Sequence, residues 1–248
     1  MKMYKFKNKI ALITGSTRGI GLEIAKNLKQ KECKIIFNSR KNINLNKKDL
    51  FRDNHFGFDC TKEKEVIKGL KKIRKKFKKV DFLVCNVGSS KINSNKSGSA
   101  HEWQRMIEKN LFSSIIVIEN FLKYFKQNVK IICISSVSGN YISKAPIEYI
   151  VSKSALNTYV KKKSKLIGEN NTINCLAPGN ILSKGGRWEK KLQINKKSVM
   201  KQIKESVPLN RFGKTSEIAN MVSFILSDYS NFLNGSVISI DGGQNLNI

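Results

Sequence analysis

The chain has 248 residues, 40% of them hydrophobic, and carries 47 basic against 18 acidic side chains, a net charge of +29. That length suits one large α/β domain with a buried core, and no Pro/Gly/Ser-rich linker or internal repeat divides it. The charge raises nucleic acid, a membrane surface or an acidic substrate as partners, but no basic stretch is interleaved with stacking aromatics as single-strand binders require.

In chain order, the first apolar run is "KIALIT" (9–14). The lysines before it imitate a leader, yet the apolar part is too short for one and no small-residue cleavage site follows. "KIIFNS" (34–39) and "HFGF" (55–58) come next, separated by only enough chain for a short helix. In 61–80, Val66, Leu70, Ile73 and Phe77 recur at helical spacing and lysines fill the other face, so the charge reads as solvated surface. "DFLVCNV" (81–87), "KIICIS" (130–135), "NTINCLAP" (171–178) and "SVISID" (236–241) complete seven strands. About seven helices alternate with them. Continuous apolar strands between helices imply a doubly wound parallel sheet covered on both faces, a three-layer α/β/α Rossmann-type fold in a single domain over 1–248. One long connection, about 182–207, reads as a loop plus a helix suited to covering a substrate. No apolar stretch reaches transmembrane length. The five cysteines form no CxxC pattern and two lie inside strand runs, which suits reduced thiols in a cytoplasmic protein. With two histidines and no zinc spacing, no metal is expected.

In an open parallel sheet, ligands bind beyond the carboxyl ends of the strands, so the residues just after each strand matter. "TGSTRGIG" (14–21) follows the first strand. Gly15, Gly19 and Gly21 permit a tight turn and a close approach of backbone amides to a pyrophosphate, and the helix starting near Ile20 presents its positive end. Ser16 and Arg18 belong to the same turn. After the second strand comes "NSRK" (38–41), which holds Arg40 and no acid. An enzyme preferring NAD places a carboxylate there. Two cations, Arg18 and Arg40, favour a 2′-phosphate and hence NADP(H) over NAD(H). Asp59 and Cys60, after the third strand, are expected beside the adenine. "YIVSK" (149–153) puts Tyr149 and Lys153 one helical turn apart on a shared face.

Taken in order, these segments resemble the short-chain dehydrogenase/reductase family in its short single-domain form, in the manner of 3-oxoacyl-carrier-protein reductases. "TGSTRGIG" is similar to TGxxxGIG, "NVG" (86–88) to NAG with Val87 for alanine, "YIVSK" to YxxxK, and "PGNILS" (178–183) to PGxIxT with Ser183 for threonine. Ser136, in "ISSVSG", lies thirteen residues before Tyr149 as the family pattern has it. The resemblance implies that Tyr149 is the general acid in carbonyl reduction and the base in alcohol oxidation. Lys153 lowers the phenol's pKa and bonds the nicotinamide ribose, Ser136 holds the substrate oxygen, and Asn110 orders a proton-relay water. It also implies that Asn86 and Gly88 line the adenosine side, and that Pro178, Gly179, Ile181 and Ser183 meet the nicotinamide end. The tyrosine–lysine spacing is that of carbonyl/alcohol chemistry rather than of the family's enoyl reductases.

The expected partner is a small carbonyl or alcohol, 3-oxoacyl or sugar-derived. Ser138, Tyr141, Ile142, Pro146, Asn180, Leu182 and Trp188 are candidate lining residues. Lys91, Lys144 and Arg187 flank them, which would suit an anionic substrate. The resemblance further implies a homotetramer or homodimer built on helices near 103–126 and 150–167. Two other readings stand beside this one: a catalytically silent cofactor-binding regulator on the same fold, and a nucleic-acid-binding protein driven by charge.

Overall fold

The computed structural model describes residues 5–40, 54–92 and 98–245. Strand β1 (Ile10–Ile13) leads into α1 (Gly19–Gln30), β2 (Lys34–Ser39) and β3 (His55–Gly57). The short helix expected between β2 and β3 lies outside the described residues. Then follow α2 (Glu63–Lys76), β4 (Phe82–Cys85), α3 (Ala100–Ile107), a π-helical turn (Glu108–Phe112) and α4 (Ser113–Tyr124). β5 (Lys130–Ile134) ends in a 3₁₀ turn (Val137–Gly139) before α5 (Ile147–Lys163), and β6 (Thr172–Pro178) follows. The last part comprises β7 (Ile181–Leu182), α6 (Arg187–Ile194), α7 (Lys196–Ser206), β8 (Gly213–Lys214), α8 (Thr215–Leu226) and β9 (Val237–Ile240).

Seven strands form one sheet in the order β3-β2-β1-β4-β5-β6-β9, every neighbouring pair parallel. The strand order reverses between β1 and β4, the switch point at which such sheets bind ligands. All seven apolar runs read from the sequence are strands of this sheet. Alternation along them splits the core in two. Leu12, Ile36, Leu83, Cys85, Cys133 and Cys175 face one side, under α2, α4 and α5. Ala11, Ile13, Ile35, Phe37, Val84 and Leu176 face the other, under α1 and α8. Register brings Cys85, Cys133 and Cys175 side by side across β4, β5 and β6, and all three are buried free thiols.

The helix ends follow local chemistry. Glu63 and Glu65 open α2 and Arg74, Lys75 and Lys76 close it, each sign matching the dipole end it meets. Ser99 caps α3 by accepting from the Glu102 amide. Two features differ from the sequence reading. The connection after β6 holds two helices and the strand β7, which pairs in parallel with β8. Asn195 breaks the helix with extended backbone and its side chain caps α7 through the Ser198 amide. The helix after β4 is interrupted at Glu108–Phe112, where the wider π turn sets Asn110 at its centre. Among the described residues, no helix is long and apolar enough to cross a membrane.

Candidate active site

The glycine turn sits at the carboxyl end of β1. Gly15 and Gly19 adopt left-handed φ of 61° and 57°, open to glycine without strain. Gly21 is needed for proximity: a β-carbon there would lie 2.5 Å from Asn86 Nδ2 and 2.6 Å from the Gly15 carbonyl oxygen. Asn86 Nδ2 donates to the carbonyls of Thr14 (3.2 Å) and Gly15 (3.1 Å). Asn86 therefore braces the turn from below, a role beyond the adenosine contact implied by the resemblance. Thr14 joins it, its hydroxyl accepting from the Asn86 amide at 3.0 Å. Ser16 is fully buried and its hydroxyl accepts from the Asn38 amide at 3.0 Å. Asn38 in turn donates to the carbonyls of Phe56 and Phe58 and accepts from the Gly15 amide, tying β2, β3 and the turn together. Sequence reading passed over Thr14 and Asn38, although a buried amide in an apolar strand is a signal of such bracing.

Arg18, immediately before α1, and Arg40, after β2, are both exposed. Lys109, half-buried in the π turn, joins them. Burial first, then the charges of Arg40, Arg105 and Arg18, push its ammonium pKa down, with Asp59 opposing. Among the described residues no salt bridge pairs Arg18, Arg40 or Lys109 with a carboxylate. Sequence reading found two of these cations and missed the third. The Asp59 carboxylate accepts from the amide and hydroxyl of Thr61, at 3.0 and 2.8 Å, and so shapes the loop into α2. Cys60 is buried in the core, its thiol donating to Asn38. Its side chain faces the core, so only its backbone is available to the cleft.

Lys153, on α5, is 2% exposed and its Nζ donates to the Ile134 carbonyl at 2.8 Å. That Nζ lies 5.9 Å from the Tyr149 ring centroid. Asn110 is fully buried, donating to the carbonyls of Met106 and Ser89 (each 3.0 Å) and accepting from the Ser89 amide at 2.8 Å. The two groups converge on Gly88, where an added β-carbon would meet Asn110 Oδ1 at 3.0 Å and Lys153 Nζ at 3.3 Å. Ser136, at the end of β5, has its hydroxyl accepting from the Ser138 amide at 3.2 Å and lies close enough to the Tyr149 phenol to lower its pKa. The four predicted catalytic residues thus meet at one place, on the carboxyl side of β4 and β5.

The electrostatics differ from the expectation in one respect. Tyr149 has its pKa raised by burial, opposed by the Ser136 hydrogen bond and then the Arg187 charge. Burial pushes Lys153 down to about 8, with Cys175 and Cys133 opposing. The lysine therefore keeps most of its charge at neutral pH and loses it above about 8, while the desolvation of the phenol outweighs what surrounds it.

At the nicotinamide end, Pro178 closes β6 and Gly179 donates its amide to the Ile240 carbonyl at 2.9 Å. Ile181 packs into the core on the α1/α8 side, as does Ile20, so these two contribute backbone rather than side chain to the cleft. Ser183 reaches over the glycine turn, its Oγ 3.9 Å from where a Gly19 β-carbon would stand. Gln244 donates to the Tyr141 hydroxyl at 2.8 Å. Arg187 Nη1 donates to Ser90 Oγ at 3.1 Å, linking α6 to the loop after β4.

A family model described as enoyl-(acyl carrier protein) reductase matches residues 15–245. The chain is 31% identical over 247 residues to the 3-oxoacyl-(acyl-carrier-protein) reductase FabG of Escherichia coli (strain K12), covering 96% of this chain and 98% of that one. The ligand-free aldohexose dehydrogenase AldT of Thermoplasma acidophilum superposes with a TM-score of 0.85 at 27% identity, covering 98% of this chain and 96% of that one. The RhlG/NADP active-site complex of Pseudomonas aeruginosa shares the fold with a TM-score of 0.84 at 24% identity, covering 97% of each chain. With the Ser136, Tyr149, Lys153 and Asn110 cluster seated at the switch side of the sheet, the chain belongs to the short-chain dehydrogenase/reductase family and is an oxidoreductase of the alcohol/carbonyl class.

Proposed function

We propose that this protein is an NADP(H)-preferring carbonyl reductase acting on a 3-oxoacyl thioester, with Tyr149 as its general acid. The observation that carries the reading is one cluster in which Asn110 and Lys153 meet at Gly88, Lys153 lies beside the Tyr149 ring, and Tyr149 lies beside Ser136. The glycine turn fits a dinucleotide, because Gly15 and Gly19 hold the left-handed backbone of a tight turn and Gly21 lets that turn pack on Asn86 at the amino end of α1. Gly15, Ser16, Arg18, Gly19, Ile20 and Gly21 would hold the pyrophosphate. Arg18, Arg40 and Lys109 would take the 2′-phosphate, three cations that no salt bridge among the described residues ties to a carboxylate. Asp59, the Cys60 backbone, Asn86 and Gly88 would flank the adenosine. Lys153, Pro178, Gly179, Ile181 and Ser183 would flank the nicotinamide ribose and ring. When bound, the nicotinamide supplies the hydride.

The chain's own groups handle the oxygen and the proton. Ser136 orients the carbonyl oxygen toward the Tyr149 hydroxyl beside it. Tyr149 gives its proton to that oxygen as negative charge develops there, and is left as phenolate. The Lys153 ammonium, fixed on the Ile134 carbonyl, favours that product and stands next to Asn110, the entry for the replacement proton. Reversal of the same transfers oxidises an alcohol. The tyrosine–lysine spacing and the 31% identity to a 3-oxoacyl reductase favour C=O over the C=C chemistry in the family model's description. The proposed assembly is a homotetramer or homodimer in the cytoplasm. Half-exposed Phe112 beside α4, and Ile147 and Val151 on α5, give these helices an apolar outer surface suited to a partner copy.

The test is NADPH consumption with acetoacetyl-CoA, run beside glucose with NADP⁺ and beside a 2-enoyl-CoA. Turnover of the 3-oxo thioester that Tyr149→Phe lowers by about 10²- to 10⁴-fold, with cofactor binding intact, is the expected result. Turnover of the enoyl thioester alone would overturn the reading.

A further inference from the structure

Tyr141 follows Ser136 on the segment between β5 and α5, and that segment is held in place. The Tyr141 amide donates to the Val137 carbonyl at 3.2 Å. The Asn140 side chain accepts from Asn157, on α5, at 2.8 Å. Gly139 lies so close to α5 that an added β-carbon would stand 2.8 Å from the Lys153 carbonyl carbon. Tyr141 therefore leaves from the same stretch of α5 that carries Lys153, and its ring is half-buried.

The segment after β9 reaches this ring. Gln244 Nε2 donates to the Tyr141 hydroxyl oxygen at 2.8 Å, and Gln244 Oε1 accepts from the Asn180 amide at 3.2 Å. Asn180 follows β6 beside Gly179, where an added β-carbon would stand 2.9 Å from Gln244 Oε1. The Asp241 carboxylate shapes the turn by accepting from the amides of Gly243 and Asn245, at 3.1 and 2.8 Å. These bonds fix a proton's direction. A main-chain amide can only donate, so the Asn180 N–H settles which end of the Gln244 amide faces it. The other end is an NH₂ group, and the Tyr141 oxygen must accept from it. The Tyr141 hydrogen then points elsewhere, and among the described residues nothing accepts it. Burial raises the Tyr141 pKa, opposed by the Gln244 bond and reinforced by the Asp241 charge, so this donor keeps its proton at neutral pH.

We propose that Gln244 is a positioning residue that presets the Tyr141 O–H as a hydrogen-bond donor for a second acceptor oxygen of the substrate, apart from the carbonyl that Ser136 and Tyr149 serve. This rests on the 3-oxoacyl reading, in which that oxygen is the C1 carbonyl. A substrate without it leaves the half-buried donor unmatched and loses binding free energy. The arrangement therefore selects dicarbonyl substrates over simple ketones, and the selecting group is set by a side chain beyond the last strand of the sheet.

The test uses the whole protein with NADPH and two uncharged ketones of one chain length: ethyl acetoacetate, which has the second carbonyl, and 2-heptanone, which lacks it. Tyr141→Phe should reduce the preference for ethyl acetoacetate by about 3- to 10-fold, the scale of one net hydrogen bond, through KM rather than kcat. Gln244→Glu keeps the side-chain length and the bond from Asn180, but offers Tyr141 an acceptor in place of a donor. It should lose the preference to the same extent, and the double variant should lose no more than Tyr141→Phe alone. The tyrosine Raman doublet gives a readout without turnover, because its intensity ratio distinguishes a phenol that accepts from one that donates. Subtracting the Tyr141→Phe spectrum isolates Tyr141 from the other five tyrosines. Tyr141 should read as an acceptor in wild type and as a donor in Gln244→Glu. An unchanged preference in Tyr141→Phe, or identical Tyr141 doublets in wild type and Gln244→Glu, would overturn the inference. Wild-type protein that reduces 2-heptanone but neither ethyl acetoacetate nor acetoacetyl-CoA would overturn the 3-oxoacyl reading itself, so the two failures are distinguishable.

Discussion

Substituting Gly21 by alanine sets two effects of opposite sign against each other at one atom. Gly21 is the third residue of α1, and alanine in a helix is favoured over glycine by up to about 1 kcal/mol. Against this, the new methyl would stand 2.5 Å from Asn86 Nδ2 and 2.6 Å from the Gly15 carbonyl oxygen. The amide can rotate away only by giving up its two bonds to Thr14 and Gly15, worth about 0.5–1.5 kcal/mol each. The Gly15 carbonyl is main chain and can move only if the turn opens, an overpacking cost of about 1–3 kcal/mol. The balance is a destabilisation of about 1–5 kcal/mol. Urea unfolding should therefore show a lower midpoint, and NADPH binding followed by fluorescence should weaken. The double variant Gly21→Ala/Asn86→Ala relieves the first clash and not the second, so its loss should be less than the sum of the two single losses. A Gly21→Ala protein as stable as wild type, or more stable, would refute the account of the turn.

Lys109→Ala is expected to weaken NADPH binding about tenfold or more, the scale of one lost bond to a charged group, while sparing NADH; equal losses in a paired titration would remove Lys109 from the phosphate site. Lys153 carries a folded-state pKa of about 8 against an ordinary 10.5. The unfolded chain therefore binds more protons between these values, and stability should rise with pH across about 8 to 10.5 by on the order of 3 kcal/mol; Lys153→Met should flatten that rise in urea midpoints taken across the window. Glu217, paired at 3.0 and 2.7 Å with Arg211, has its carboxyl held down to about 2 by that guanidinium and by the Lys214 amide. Its stabilisation is complete above the ordinary 4.5 and is lost as pH falls toward 2. Glu217→Gln should therefore cost about 0.2–1 kcal/mol at neutral pH, as exposed pairs do, and nothing in thermal melts at the acid end. Light scattering should give a dimer or tetramer, and charge placed at Ile147 and Val151 should shift it toward monomer.

The strands were legible because each is a short, nearly unbroken apolar run, and a parallel sheet covered on both faces demands that composition. The glycine turn and the Tyr149–Lys153 pair were legible because their spacing is fixed by backbone geometry within a few residues. The residues that escaped, Thr14, Asn38 and Lys109, act across long sequence distances. Asn38 bonds Gly15 and Phe58 across 23 and 20 residues of chain, partners that its place in an apolar strand does not name. The π turn escaped because its widening serves the placement of Asn110 rather than any local propensity. The direction of the Tyr149 shift was misjudged because desolvation depends on everything packed around the phenol, which a lysine four residues away cannot reveal. Cys60 was drawn to the cleft by its place after β3, whereas its thiol lies among core side chains.

α1, which starts at the cofactor turn, packs against α8 on the same face of the sheet, and Asn27 joins them through Asn220 and Ser223. Ribosomes deliver α1 (Gly19–Gln30) long before α8 (Thr215–Leu226). Throughout most of synthesis Ile24, Ala25 and Leu28 lack the neighbours Ile218, Ala219 and Val222 that cover them in the finished molecule. The half of the molecule that carries the glycine turn is thus emitted early but sealed late. A transcript cut short before α8 would yield a chain bearing the whole catalytic cluster together with an unsealed apolar stripe, a ready substrate for holdase chaperones and proteolytic clearance.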